Sequence, residues 1–140
     1  MTDELAAANV NRSYQLAASC IAIFTFLLFF LYPRFVSGDI HALPFQATLI
    51  VMGVATFSFA FASFYYYGVS LGGRVDDAER TRHAHRADHI WLLGCALLFL
   101  APSLILFTIN LLPVAAAWFG LWLVYVCFVI RNFSRVRTPH

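Results

Sequence analysis

The sequence keeps every charged or imidazole side chain out of four long apolar stretches. Its nine basic residues, seven carboxylates and five histidines all lie between or beyond segments near Tyr14–Tyr32, Phe45–Tyr67, Ile90–Ile109 and Pro113–Ile130. Each segment has the roughly 18 apolar residues that a helix needs to cross a hydrocarbon layer about 30 Å thick. The chain is 61% hydrophobic and only 11% charged, where soluble domains carry about a quarter. A soluble core of 140 residues cannot hide that much apolar surface. The pattern predicts an all-α integral membrane protein in which residues 1–140 form one domain of four transmembrane helices, arranged as an up-down bundle.

The first stretch is too long for a signal-peptide core and follows Asp3 and Glu4, so it is read as a retained span. Cys20 precedes the main apolar run instead of following it, which argues against a lipoprotein cleavage site. Arginine placement then sets the expected orientation, because basic residues near span ends stay on the cytoplasmic side. Arg12, the loop arginines 74, 80, 82 and 86, and the tail arginines 131, 135 and 137 stand together against Arg34 alone. Both termini are therefore expected in the cytoplasm, with the chain multi-pass in the cell (inner) membrane.

The cytoplasmic loop 72–89 is the one polar stretch long enough for structure of its own. Gly72 and Gly73 suit the end of the second span. Asp76, Asp77 and Glu79 suit the positive first turn of a helix, with arginines following. A short polar, amphipathic helix is expected there, lying along the membrane surface or leading directly into the third span, its arginines reaching lipid phosphates.

Small and polar residues recur at helical spacing inside the spans. Gly53, Thr56, Ala60, Ser63 and Tyr67 fall on one face of the second span and are expected to meet neighbouring helices; Phe57, Phe61 and Phe64 fall on another and are expected to meet lipid or a partner. Ala18 with Ala22, and Ala116 with Gly120, repeat the spacing that permits close backbone approach in membranes. Pro102 is expected to kink the third helix.

The densest chemical signal is Arg82, His83, His85, Arg86, Asp88 and His89, a candidate pH-sensing, lipid-sensing or partner-binding segment. The same residues also suit a solvated collar at a span entrance. His85 and His89 stand one helical turn apart but lack a third metal ligand. Cys20, Cys95 and Cys127 share one depth, and with His89 they make a candidate zinc or iron–sulfur set. Free buried cysteines more often act as small hydrophobes, so no metal is expected. Trp118, Trp122 and Tyr125 form a stripe suited to a flat ligand or to ordinary helix and lipid contact. Haem lacks an axial pair at one depth: His41 lies on one side, the other span-flanking histidines on the opposite one, and Met52 alone lies within a span. The absence of lysine excludes a Schiff-base cofactor, and a net charge of +2 is too small for nucleic acid. No cofactor is expected.

Two functions follow. The first is a non-catalytic helical subunit that self-associates or packs with other membrane-protein subunits among the membrane lipids. The alternative is an oligomeric ion channel, pore or small transporter, its pathway lined by Thr25, Thr56, Ser63 or Ser103 and gated by phenylalanine. A proton-coupled transporter lacks the intramembrane carboxylate it needs, and no nucleophile or phosphate cradle supports an enzyme. Orientation is directly measurable after the native thiols are replaced. A membrane-impermeant maleimide should label Asp39→Cys in intact cells and Thr81→Cys only after permeabilisation.

Overall fold

The computed structural model describes residues 3–70 and 76–136, with side chains except at positions 3, 77 and 133–136. The expected stop at Gly72 and Gly73, and Arg74 and Arg137, lie outside the described residues. Four helices follow one another: α1 (Asp3–Val36), α2 (Ala42–Ser70), α3 (Asp77–Thr108) and α4 (Leu112–Val136). Each contains one of the apolar segments and is long and apolar enough to cross a membrane. At about 1.5 Å per residue α1 and α3 reach roughly 50 Å, well beyond a 30 Å hydrocarbon layer. The polar residues from Ala78 to His89 and the third apolar span form one continuous helix, and Pro102 is accommodated within it.

Two turns at the same end of the molecule close in the same way. At the end of α1, Gly38 takes φ +81°, its N–H donates to the Phe35 carbonyl and that of Asp39 to the Arg34 carbonyl. At the end of α3, Asn110 takes φ +61°, its N–H donates to Phe107 and that of Leu111 to Leu106. Both are Schellman closures, in which a left-handed residue satisfies carbonyls the helix leaves open. Gly38 adopts that backbone without a Cβ penalty, and Asn110 is the residue type that tolerates it next best. Pro44 and Pro113 then fall in the first turns of α2 and α4, where a missing N–H costs nothing.

Helix packing follows chain order: α2 lies between α1 and α3, and α4 rests on the far side of α3. The buried stripe of α2 is Phe45, Thr48, Met52, Ala55, Phe59, Ala62, Tyr66 and Val69, a strict alternation of three and four residues. A matching stripe on α1 runs through Ala6, Ser13, Ala17, Cys20 and Leu27, and another on α3 through Ala87, Gly94, Ala101 and Thr108. A repeat averaging 3.5 is the signature of left-handed knobs-into-holes packing. Large side chains of α2 meet small ones on its neighbours. A Cβ built on Gly94 would lie 2.9 Å from Cε1 of Phe59, whose ring is fully buried and meets Trp91 edge-on at 6.4 Å.

This face is rotated by one residue from the one that spacing alone suggests. Gly53, Thr56 and Ala60 sit at its half-buried margin, a Cβ on Gly53 would touch nothing within 4 Å, and Tyr67 is 56% exposed. Ser63 is buried, while Phe57, Phe61 and Phe64 face outward. Bulky Met52 and Phe59 turn inward because α1 and α3 offer them the space that small residues leave. Gly94→Leu should therefore destabilise the chain by about 1–3 kcal/mol, the usual cost of overpacking. Unfolding in detergent measures this, and Phe59→Ala added to Gly94→Leu should recover part of the loss.

Candidate functional site

The polar ends of α2 and α3 meet at the arginine-rich end of the molecule. Helix α3 starts after Asp76, whose extended backbone (φ −60°, ψ 145°) makes it the N-cap without a side-chain capping bond; the Arg80 N–H donates to its carbonyl at 2.9 Å. One turn later His83 Nε2 stands 3.9 Å from Glu79 Oε1, and its ring lies 5.6 Å from that of Tyr65. Deeper in, the Tyr66 hydroxyl donates to Asp88 Oδ1 at 2.6 Å. Tyr66 is only 3% exposed and packs with Ala62 and Ala87. A short bond from a buried hydroxyl to a carboxylate is among the stronger neutral-to-charged pairs. It ties the last turns of α2 to the first turns of α3.

The structure thus divides the histidine–arginine cluster between two faces of one helix. His83 and Asp88 point to the tyrosines of α2. Arg82, His85, Arg86 and His89, with Thr81 and Ile90, line an open groove of about 560 Å³ on another face. Within it the rings of His85 and His89 are 5.6 Å apart, and His89 Nδ1 lies 2.6 Å from the His85 carbonyl. A carbonyl only accepts, so this contact requires the proton on Nδ1. Arginine and histidine on one helix face offer sites for phosphate or carboxylate groups.

The thiols do not converge. Cys20 and Cys95 belong to one buried cluster with Ala17, Met52, Ala55 and Phe59, whereas Cys127 is exposed on α4. No group of three or more metal-ligating side chains occurs among the described residues. Common depth was readable from position in the spans; direction around each helix was not.

Nor do the hydroxyls proposed for a pathway share a surface. Thr25 is exposed on α1. Thr56 donates to the Met52 carbonyl and lies against the Cys20 thiol, and Ser63 donates to the Ala60 carbonyl. Ser103, fully buried, donates to the Ala115 carbonyl at 3.0 Å, joining α3 to α4. The tryptophan stripe behaves similarly. Trp122 Nε1 donates to the Ala96 carbonyl at 2.7 Å and Tyr125 meets Phe99 edge-on at 5.0 Å, so both serve the α3–α4 contact, while Trp118 is 44% exposed.

Two participants escape sequence reasoning. Tyr66 reads as one of three belt tyrosines until α3 is placed beside it, and Gly94 carries no spacing partner that marks it. No known protein family, characterised protein or solved structure matches the chain. The Tyr66–Asp88 bond makes a measurable prediction. Tyr66→Phe should cost about 0.5–2 kcal/mol, the range for polar contacts between membrane helices. Asp88→Ala should cost a similar amount, and in a double-mutant cycle the two losses should overlap instead of adding.

Proposed function

We propose that the chain is a non-catalytic membrane subunit that self-associates or packs against other membrane proteins, with both termini in the cytoplasm of a cell (inner) membrane. The observation that carries this reading is the outward placement of its small-residue spacings. Ala18 and Ala22 on α1 and Ala116 on α4 are exposed, and a Cβ on Gly120 would meet nothing within 4 Å. Small residues four apart let membrane helices approach closely, and here the chain leaves two such faces uncovered while its own contacts use others. The exposed Phe57, Phe61 and Phe64 of α2 add a third apolar surface suited to lipid or a partner.

The polar chemistry supports the same conclusion. Ser13, Ser19, Thr48, Thr56, Ser58 and Thr108 each donate to the carbonyl four residues earlier on their own helix. Hydroxyls engaged in this way are poor replacements for an ion's hydration shell. The four apolar segments carry no ionisable relay of Asp, Glu, Lys, Arg or His. Orientation rests on the arginine distribution, which also puts the Arg82–His89 face in the cytoplasm, available to anionic lipid or to an acidic partner.

Mass measurement of the chain released from nanodiscs tests this reading. An oligomer or a mixed complex is expected. Ala22→Trp or Ala116→Trp should break it down, while shifting the unfolding of the separated chain by less than about 0.5 kcal/mol, as outward substitutions usually do. A wild-type chain found alone would overturn the proposal. So would ion flux in reconstituted vesicles that Phe57→Ala alters.

A further inference from the structure

At the end opposite the arginine cluster, α1 and α3 both rest on α2 without closing on each other, and an open groove of about 390 Å³ runs between them. Its floor is Leu27, 1% exposed. One wall is the stacked pair Phe26 and Phe30, with ring centroids 4.4 Å apart, and the other is Ile105 on α3. Arg34 lies at its outer end. We propose that this groove holds one acyl chain of an anionic phospholipid whose phosphate pairs with Arg34.

Three features select that occupant. The first is length: from Ile23 to Arg34 a helix rises about 16 Å, which matches the hydrocarbon of one leaflet, roughly half of 30 Å. The second is size and lining, since the volume falls within the range of about 300–1,000 Å³ for small-molecule sites and the walls are aliphatic and aromatic. The third is charge. Arg34 stands two residues beyond the apolar segment that ends at Tyr32, at the depth of lipid headgroups, and it forms no ion pair with the described residues. The neighbouring acid, Asp39, instead accepts a 2.6 Å hydrogen bond from the Ser37 hydroxyl. A guanidinium offers two parallel donors to a phosphate, so a phospholipid satisfies both ends of the groove at once.

The site differs from the general lipid coat in its shape. A lipid lying on a single helix face is touched on one side, whereas here Leu27 is flanked by Phe26 and Phe30 on one side and Ile105 on the other. A chain lying in the groove is enclosed by two helices and exchanges more slowly than its neighbours. The Phe26–Phe30 stack orders one wall in advance, which lowers the entropy lost on binding.

Native mass spectrometry of the chain in micelles containing phosphatidylglycerol and phosphatidylcholine tests the proposal. One phosphatidylglycerol should stay bound to the wild-type chain under conditions that strip the rest. Arg34→Gln should weaken its retention roughly tenfold, the scale of one charge-assisted contact, and remove the preference over phosphatidylcholine. Ile105→Trp, which fills the groove, and Phe30→Ala, which removes an exposed part of its wall, should abolish retention. Unfolding in lipid-free detergent shows whether each variant folds; should Ile105→Trp not fold, Phe30→Ala decides. Equal retention by all variants, or none by the wild-type chain, overturns the proposal. If Ile105→Trp changes the protein's own oligomeric mass instead of its lipid content, a second copy occupies the groove and the proposal fails.

Discussion

Phe59 lying over Gly94 is the contact on which the arrangement of the helices depends. In water an amphipathic helix chooses its inward face by hiding apolar surface, but among lipid chains apolar surface is indifferent and only close fit distinguishes one face from another. Gly94 lets a fully buried aromatic ring approach into space that a Cβ would contest, since one built there would lie 2.9 Å from Phe59 Cε1. That approach sets the rotation of α2, and the alternation of three and four residues along it then carries Met52, Ala55, Ala62 and Tyr66 into the same seam. Because α2 is held on both sides, α1 and α3 are positioned by it and not by each other. The open groove beside Leu27 is the geometric result.

Polarity is distributed by the same economy. Most hydroxyls within the helices donate to a carbonyl of their own helix, so they add no requirement for a partner. Among the described residues, and beside the Thr56–Cys20 contact between α2 and α1, the polar bonds that cross between helices are few and placed at different levels: Tyr66 to Asp88 near one end of α3, Trp122 to Ala96 midway, and Ser103 to Ala115 toward the other end. The first secures the α2–α3 pair where apolar packing gives way to polar residues. The other two attach α4, whose only fully buried side chain among the described residues is Ala115. An attachment by two side-chain bonds and a few ring contacts leaves most of α4 facing outward.

Four helices long and apolar enough to cross a membrane were legible in the sequence, because apolar length against bilayer thickness is a one-dimensional property. The facing of each helix was not. A period of 3.6 residues groups Gly53, Thr56, Ala60 and Ser63, but it groups Met52, Ala55, Phe59 and Ala62 equally well, and only the small residues of α1 and α3 decide between the two. The histidine–arginine segment shows the same limit. Its composition announced a polar site, yet whether His83 and Asp88 act with His85 and His89 depends on angle around the helix, and α2 draws the first two away. Gly38 and Asn110 were legible in principle, since both residue types favour the left-handed turn that ends a helix. Tyr66 was not, because its partner lies 22 residues along the chain, across the α2–α3 connection.

The two ends of the molecule consequently meet their surroundings in different ways. At one, helices α1 and α3 extend beyond their apolar segments, and a face with two arginines and two histidines stands clear of the α2 seam. Such a face attracts anions through several weakly ordered contacts, and its pull declines with salt because the charges are exposed. At the other end the chain turns back within a few residues, both turns are closed by backbone hydrogen bonds, and a single arginine caps a groove with an ordered floor and walls. One charge cannot concentrate anions as a cluster does, but joined to a shaped apolar slot it can select a molecule with a phosphate at one end and a hydrocarbon chain at the other. Exposed charge distinguishes the first end, and a partly enclosed apolar groove the second. Both properties descend from the same choice of seam, which leaves the cationic face of α3 uncovered at one end and holds α1 apart from α3 at the other.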